Sequence, residues 1–171
     1  MTLKSSAQAH VPFIANDDHS TMQSALIIEN ISTSKVIYQK ITSSAFESWI
    51  QFEGREGDIL YMQLGIPYIE ELENYRPSIS ILPPGRYPKL VDTVGIQDKS
   101  MYVFNSTTTP EIFQERFTNT SSWILVEQTV NLTETGTYFI VYFSPNNESG
   151  KLWVAVGREE KFGPNDSSLN P

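Results

Sequence analysis

The stretch that most constrains this chain is residues 131–157, NLTETGTYFIVYFSPNNESGKLWVAVG. Within residues 137–143, Thr137, Phe139, Val141 and Phe143 alternate with Tyr138, Ile140 and Tyr142. Aromatic and β-branched side chains in both registers describe a pleated strand covered on both faces. Residues 144–151 then bring Pro145, Asn146, Asn147 and Gly150, which preset φ or tolerate positive φ, before the apolar run 152–156. Two strand signals around a turn signal predict a β-hairpin, and a chain organised by it is mostly sheet.

The remaining segments agree with that class. Residues 10–14 (HVPFI) suit a sheet edge, where Pro12 has no ladder bond to donate. Residues 15–20 (ANDDHS) read as an Asx-type turn or helix N-cap, with a helical turn starting near residues 20–23 and a strand at 25–28. Strands follow at 36–42 and 46–53. In the second, Phe46, Ser48, Ile50 and Phe52 share one face, while Glu47, Trp49, Gln51 and Glu53 share the other, wetter one. A tight turn at 54–57 leads into 58–66 as the expected antiparallel partner. Residues 67–77 predict a helical turn or loop across the sandwich end. A short strand at 77–82 is stopped by Pro83 and Pro84, and 88–99 is a long loop with Leu90, Val91 and Val94 turned inward. Strands at 101–105 and 123–130 flank residues 110–117 (PEIFQERF), where a proline followed by an acidic residue predicts one or two helical turns. The result is an all-β, antiparallel sandwich of jelly-roll type with about eight to ten strands. Residues 10–162 form the expected sandwich, with 1–9 a leader remnant or flexible N-terminus and 163–171 a flexible tail or linker.

Composition narrows function by exclusion. A net charge of −8 disfavours binding to a phosphate backbone, so nucleic acid is not an expected partner. The absence of cysteine removes disulfides, thiolate metal sites and cysteine nucleophiles. No run of 18 apolar residues spans a bilayer. Asn-X-Ser/Thr acceptors occur at Asn30, Asn105, Asn119, Asn131, Asn147 and Asn165. Serine and threonine make up 33 of 171 residues, so chance supplies roughly two such matches. The excess predicts an exported or surface-displayed, glycosylated protein, and Ala7-Gln8-Ala9 has the small-x-small form of a signal-peptidase site.

The order of these segments resembles the pre-peptidase C-terminal (PPC) domains, β-sandwich modules of bacterial and archaeal secreted or surface proteins. The resemblance rests on Asn16-Asp17-Asp18-His19-Ser20 ahead of the strand at 25–28, and on the aromatic strand from Trp49 followed by Gly54-Arg55-Glu56-Gly57-Asp58. It continues with Thr135-Gly136-Thr137-Tyr138 and the closing Gly150-Lys151-Leu152-Trp153-Val154-Ala155-Val156-Gly157. The chain departs from the group in residues 67–77 and in the expanded region 83–122. The resemblance implies a noncatalytic extracellular module, with a calcium ion near the opening acidic segment in some members.

Two metal readings and one surface reading follow. Asn16, Asp17 and Asp18 offer three hard oxygen donors for calcium, though a solvated Asx turn accounts for the same residues. His10 and His19 offer nitrogen ligands for copper, with an α-amine added if the chain begins at His10, though two surface histidines read as well. Trp49, Tyr61, Tyr138 and Tyr142 form a candidate surface for carbohydrate or protein, with core packing as the alternative for most of them. No Gly-X-Ser-X-Gly, His-Glu-X-X-His or phosphate loop is present, and the acidic pairs Glu70/Glu71 and Glu159/Glu160 read as solvated faces. The function expected is a noncatalytic binding or structural module at the cell surface, engaging carbohydrate or protein and requiring no cofactor, with a metal-binding protein as the alternative.

Overall fold

The computed structural model describes residues 11–15, 19–85, 101–115 and 118–159, in which eleven strands form two facing sheets. The strands are β1 (Val11–Ile14), β2 (Leu26–Ile28), β3 (Lys35–Ile41), β4 (Glu47–Gly54), β5 (Ile59–Pro67), β6 (Ser78–Leu82), β7 (Tyr102–Phe104), β8 (Glu111–Glu115), β9 (Thr120–Asn131), β10 (Gly136–Phe143) and β11 (Gly150–Val156). The six-stranded sheet has the order β1-β3-β11-β5-β9-β8 and the five-stranded sheet β2-β4-β10-β6-β7. Without β1, β2 and β8, the sheets read β3-β11-β5-β9 and β4-β10-β6-β7, and every step along those eight strands except β6 to β7 crosses between sheets. That alternation is the connectivity of a jelly roll. The additions are edge strands. β1 and β2 pair in parallel with β3 and β4, and β8 pairs antiparallel with β9.

The organising stretch is therefore not a hairpin. β10 lies between β4 and β6 in one sheet, and β11 between β3 and β5 in the other, so residues 144–149 arch from sheet to sheet. The physical reason lies in the strands themselves. Tyr138, Ile140 and Tyr142 join the core between the sheets, and Phe139 and Val141 are buried on the opposite face. Strands covered on both faces belong in sheet centres, and here each takes the centre of its own sheet. The expected pairing of 46–53 with 58–66 fails in the same way, because β5 pairs with β9 and β11 instead.

Alternation decides the core. Ser48, Ile50 and Phe52 of β4 point inward, as do Leu60, Met62, Leu64 and Ile66 of β5, all buried. The helical turns at the sandwich end are single 3₁₀ turns, Met22–Ser24 capped by Thr21 and Glu70–Leu72. Residues 111–115 are strand rather than helix, a correction of the helical turns expected at 110–117. Local signals there favour a helix start, but register with β9 from Glu111↔Ile124 to Glu115↔Thr120 overrides them. Among the described residues no helix is long and apolar enough to cross a membrane. The loop expected at 88–99, with Leu90, Val91 and Val94, lies outside the described residues.

Candidate functional site

All four aromatics expected to form a binding surface are buried. Trp49, Tyr138 and Tyr142 are at most 2% exposed, and Tyr61 is 8% exposed. Tyr138 stacks on Phe52 at 5.3 Å, and its hydroxyl donates to the Glu134 carbonyl at 2.8 Å. Tyr142 donates to the Gln39 side chain across the core, and burial pushes its hydroxyl pKa up. Trp49 does stand on the outer face of its sheet, as the alternation of β4 predicts. It is sealed there among Leu82, Phe139 and Val141, with Met22, Ala25, Met101 and Phe143 packed around it, and its Nε1–H donates to Glu47 at 3.1 Å. Tyr61 is on the outer face of the six-stranded sheet, but the Arg158 guanidinium lies 3.8 Å from its ring centre.

Other sequence-level sites scatter. His10, Asn16, Asp17, Asp18 and Asn165 lie outside the described residues. His19 Nδ1 contacts the Ser24 carbonyl at 2.8 Å, so the neutral ring donates from Nδ1 and keeps its lone pair on Nε2. Among the described residues no group of three or more His, Asp or Glu could hold a metal. Asn30, Asn105, Asn119, Asn131 and Asn147 are all exposed.

The six-stranded sheet supplies a different aromatic site. Cross-strand pairing places Tyr38 of β3 beside Trp153 of β11, and Trp153 beside Gly65 of β5. The ladder between β5 and β9 shifts register at Leu64/Gly65, an irregularity of the kind that sharpens local twist, and the sheet curls far enough for β3 and β8 to line one groove on its outer face. Trp153 lies down across Gly65, where any Cβ would collide with its ring, and its Nε1–H donates to Ser122 Oγ at 3.1 Å. Ser122 pairs with Phe113 of β8, and Thr120 with Glu115. The result is a groove of about 90 Å³ lined by Val36, Tyr38, Gln63, Phe113, Glu115, Thr120, Ser122 and Trp153.

The curl brings β3 and β8, second and sixth in the sheet, within electrostatic reach. The Tyr38 hydroxyl is held above its ordinary pKa, by burial first and by the Glu115 carboxylate second. The walls remain open, with Tyr38 45% and Phe113 41% exposed. Alongside, the same face already holds a guanidinium on an aromatic ring. Arg158 covers Tyr61 and pairs with Glu127 at 3.5 Å, while Tyr61 donates to Glu127 at 2.7 Å. Sequence reasoning missed Tyr38, Phe113 and Trp153. The reading of 152–156 as an apolar run assigns Trp153 to no face, and which residues line a groove is a matter of sheet curl.

A larger cleft of about 540 Å³ opens at one sandwich end, lined by Glu29, Asn30, Glu53, Arg55, Asp58 and Thr135 among others. Its polar groups stitch its own turns. Asp58 accepts from the Arg55 N–H at 2.9 Å, Glu53 from the Thr137 hydroxyl at 2.6 Å, and Asn30 from the Ser32 N–H at 2.8 Å.

No family model matches the chain, and no curated protein does. Solved structures do. The chain is similar to the pre-peptidase C-terminal domain of a Bacillus anthracis collagenase, at 8% identity and TM-score 0.44 over 76% of this chain and 91% of that one. It is similar to PliG of Aeromonas hydrophila, a periplasmic inhibitor of g-type lysozyme, at 11% identity and TM-score 0.41 over 86% and 98%. It is also similar to CorA of Methylomicrobium album BG8, a surface-associated copper-binding protein, at 10% identity and TM-score 0.42 over 87% and 100%. A PPC domain is thus among the folds the chain is similar to.

Proposed function

We propose that this protein is a noncatalytic binding module, displayed outside the cell, that holds a basic side chain of a protein partner in the groove over Trp153. The observation that carries the reading is the groove's size together with its lining. A volume of about 90 Å³ falls well below the roughly 300–1,000 Å³ of sites that enclose small molecules. It suits one side chain, the way a binding hot spot seats a partner's anchor. The exposed ring of Tyr38 above the Trp153 floor, with Glu115 at the wall, suits a cation: a guanidinium or ammonium gains from a ring face and from a carboxylate. The Arg158, Tyr61 and Glu127 cluster on the same sheet shows that chemistry in place. Display outside the cell is supported by the acceptor-sequence excess and by the exposure of five acceptor asparagines, which we propose carry glycans.

The test uses the indole N–H groups of the three tryptophans as reporters in nitrogen-15 NMR. Blocked arginine amide is expected to shift the Trp153 signal and leave Trp49 unmoved, and Tyr38→Ala or Phe113→Ala should remove the response. A response of Trp153 to maltohexaose but not to blocked arginine would reassign the groove to carbohydrate. Silence towards both would end the reading.

A further inference from the structure

We infer that the partner docks as an added β-strand on the edge of β8, as an extended segment that carries two basic residues flanking an apolar one on the same face. The inference deepens the groove reading and rests on it, since Phe113 and Glu115 belong to both features. Four strands form the sheet edges among the described residues. β2 and β7 have three residues each, and β1 contains Pro12, which cannot donate. β8 has five residues and no proline, and it carries exposed apolar side chains on both faces, Ile112 at 61% and Phe113 at 41%. Sheet proteins ordinarily blunt such edges, because the outward N–H and C=O groups template pairing with another chain.

Both faces of an incoming strand would meet apolar surface. On one side Phe113 stands at the lip of the groove over Trp153. On the other, Ile112 pairs with Trp123, whose ring packs 4.5 Å from the exposed Tyr68 ring. Strand addition draws its affinity from main-chain hydrogen bonds and its specificity from alternate side chains, and β8 supplies what both need.

Charge selects the occupant. Glu111, Phe113 and Glu115 share the groove-side face of β8. A second copy pairing antiparallel about Phe113 would set Glu111 opposite Glu115 twice, and like charges directly opposite destabilise a sheet. The net charge of −8 adds to that repulsion between copies. A foreign segment with Lys or Arg at the two outer positions and an apolar residue between them reverses both effects. Its cation beside Glu115 stands at the groove's lip.

The test pairs the full chain with a blocked seven-residue peptide in which threonine alternates with arginine, valine and lysine. Slowed amide exchange confined to residues 111–115 and the neighbouring β9 is expected, with a Trp153 indole shift. Two N-methylated versions provide the discriminating step, one methylated at the threonines and one at the intervening residues. In an added strand only one set of N–H groups faces the host, so one version should bind like the parent. The other should weaken by about tenfold or more, through lost backbone hydrogen bonds. Glu111→Lys should weaken the basic peptide and admit one in which glutamate replaces the single cation opposite residue 111. Equal binding by both methylated versions, or a Trp153 response without protection of β8, overturns strand addition while leaving the groove reading intact. A response to neither the peptide nor blocked arginine defeats both. Dimerisation of the peptide-free protein that Glu111→Lys strengthens or abolishes would make a second copy the occupant and overturn the proposal.

Discussion

Trp49 and Trp153 both point away from the core between the sheets, one from each sheet, yet one becomes core and the other becomes the floor of a groove. Trp49 is sealed because the segment ahead of β2 lays Met22 and Ala25 against it, and Met101 and Phe143 complete the cover. Among the described residues, Trp153 packs with its own sheet, against Val36, Ala155 and Ile124, and over the space that Gly65 leaves. The same residue type on the same kind of strand face is thus packed into a closed cluster in one sheet and floors the groove in the other, where we propose recognition. What differs, among the described residues, is that a segment outside the sheet crosses the Trp49 face.

Truncation should separate the two sides most sharply. Trp49→Ala is expected to cost about 3–5 kcal/mol, the range for a large aromatic in a closed site, measured by urea unfolding. Tyr38→Ala at the groove should stay within about 0.5 kcal/mol of the parent, as exposed positions do. Similar losses at the two positions would erase the distinction.

Gly65→Ala probes the groove from beneath. The new methyl collides with the Trp153 ring, so a cost of about 1–3 kcal/mol is expected. The indole signal of Trp153 should move, and its response to blocked arginine should vanish. An unshifted Trp153 signal would mean that the ring does not depend on that glycine. Phe113→Ala sharpens the contrast further, since it should leave the unfolding midpoint nearly unchanged while abolishing the groove response.

Alkaline titration reads the Arg158 cluster. Tyr61 is pushed up to about 12, by burial first and then by its hydrogen bond to Glu127 and that carboxylate's charge. The unfolded chain loses a tyrosine proton near the ordinary value of about 10, while the folded chain keeps it. Stability from Tyr61 is therefore complete below about pH 10 and declines as pH rises to about 12. Ultraviolet titration should show Glu127→Gln lowering the Tyr61 pKa. An unchanged or raised value would contradict the assigned cause.

Metal removal should have the smallest effect. Chelation is expected to leave the melting temperature unchanged to within about a degree, because a ligand binding only the folded state must raise it. A drop restored by calcium and lost in Asp17→Asn with Asp18→Asn would establish the acidic-segment site. Copper stabilisation lost in His10→Ala or His19→Ala would establish the histidine site.

Much of the fold was legible because strand formation is a local matter. The alternation in β4 and β10, the prolines ending β6 and the turn residues before β5 and β11 each act within a few residues. Partnership was not. The arch between β10 and β11 carries the same Pro, Asn and Gly vocabulary as a hairpin, and only the burial of both faces of both strands separates them. β8 was misread because Pro110 and Glu111 resemble a helix start, while its strand state comes from β9.

By itself, the sequence determined an all-β chain, the placement of most strands, and the side of its strand on which Trp49 stands, because these follow from side-chain alternation and backbone restriction. The tertiary structure alone decided which strands share a sheet, that Trp49 is sealed on its outer face while the likewise buried Trp153 floors a groove, and where Tyr38 meets Glu115 across a curled sheet. Those outcomes depend on distant segments reaching the same place, and sheet curl sums contributions from strands far apart in the chain.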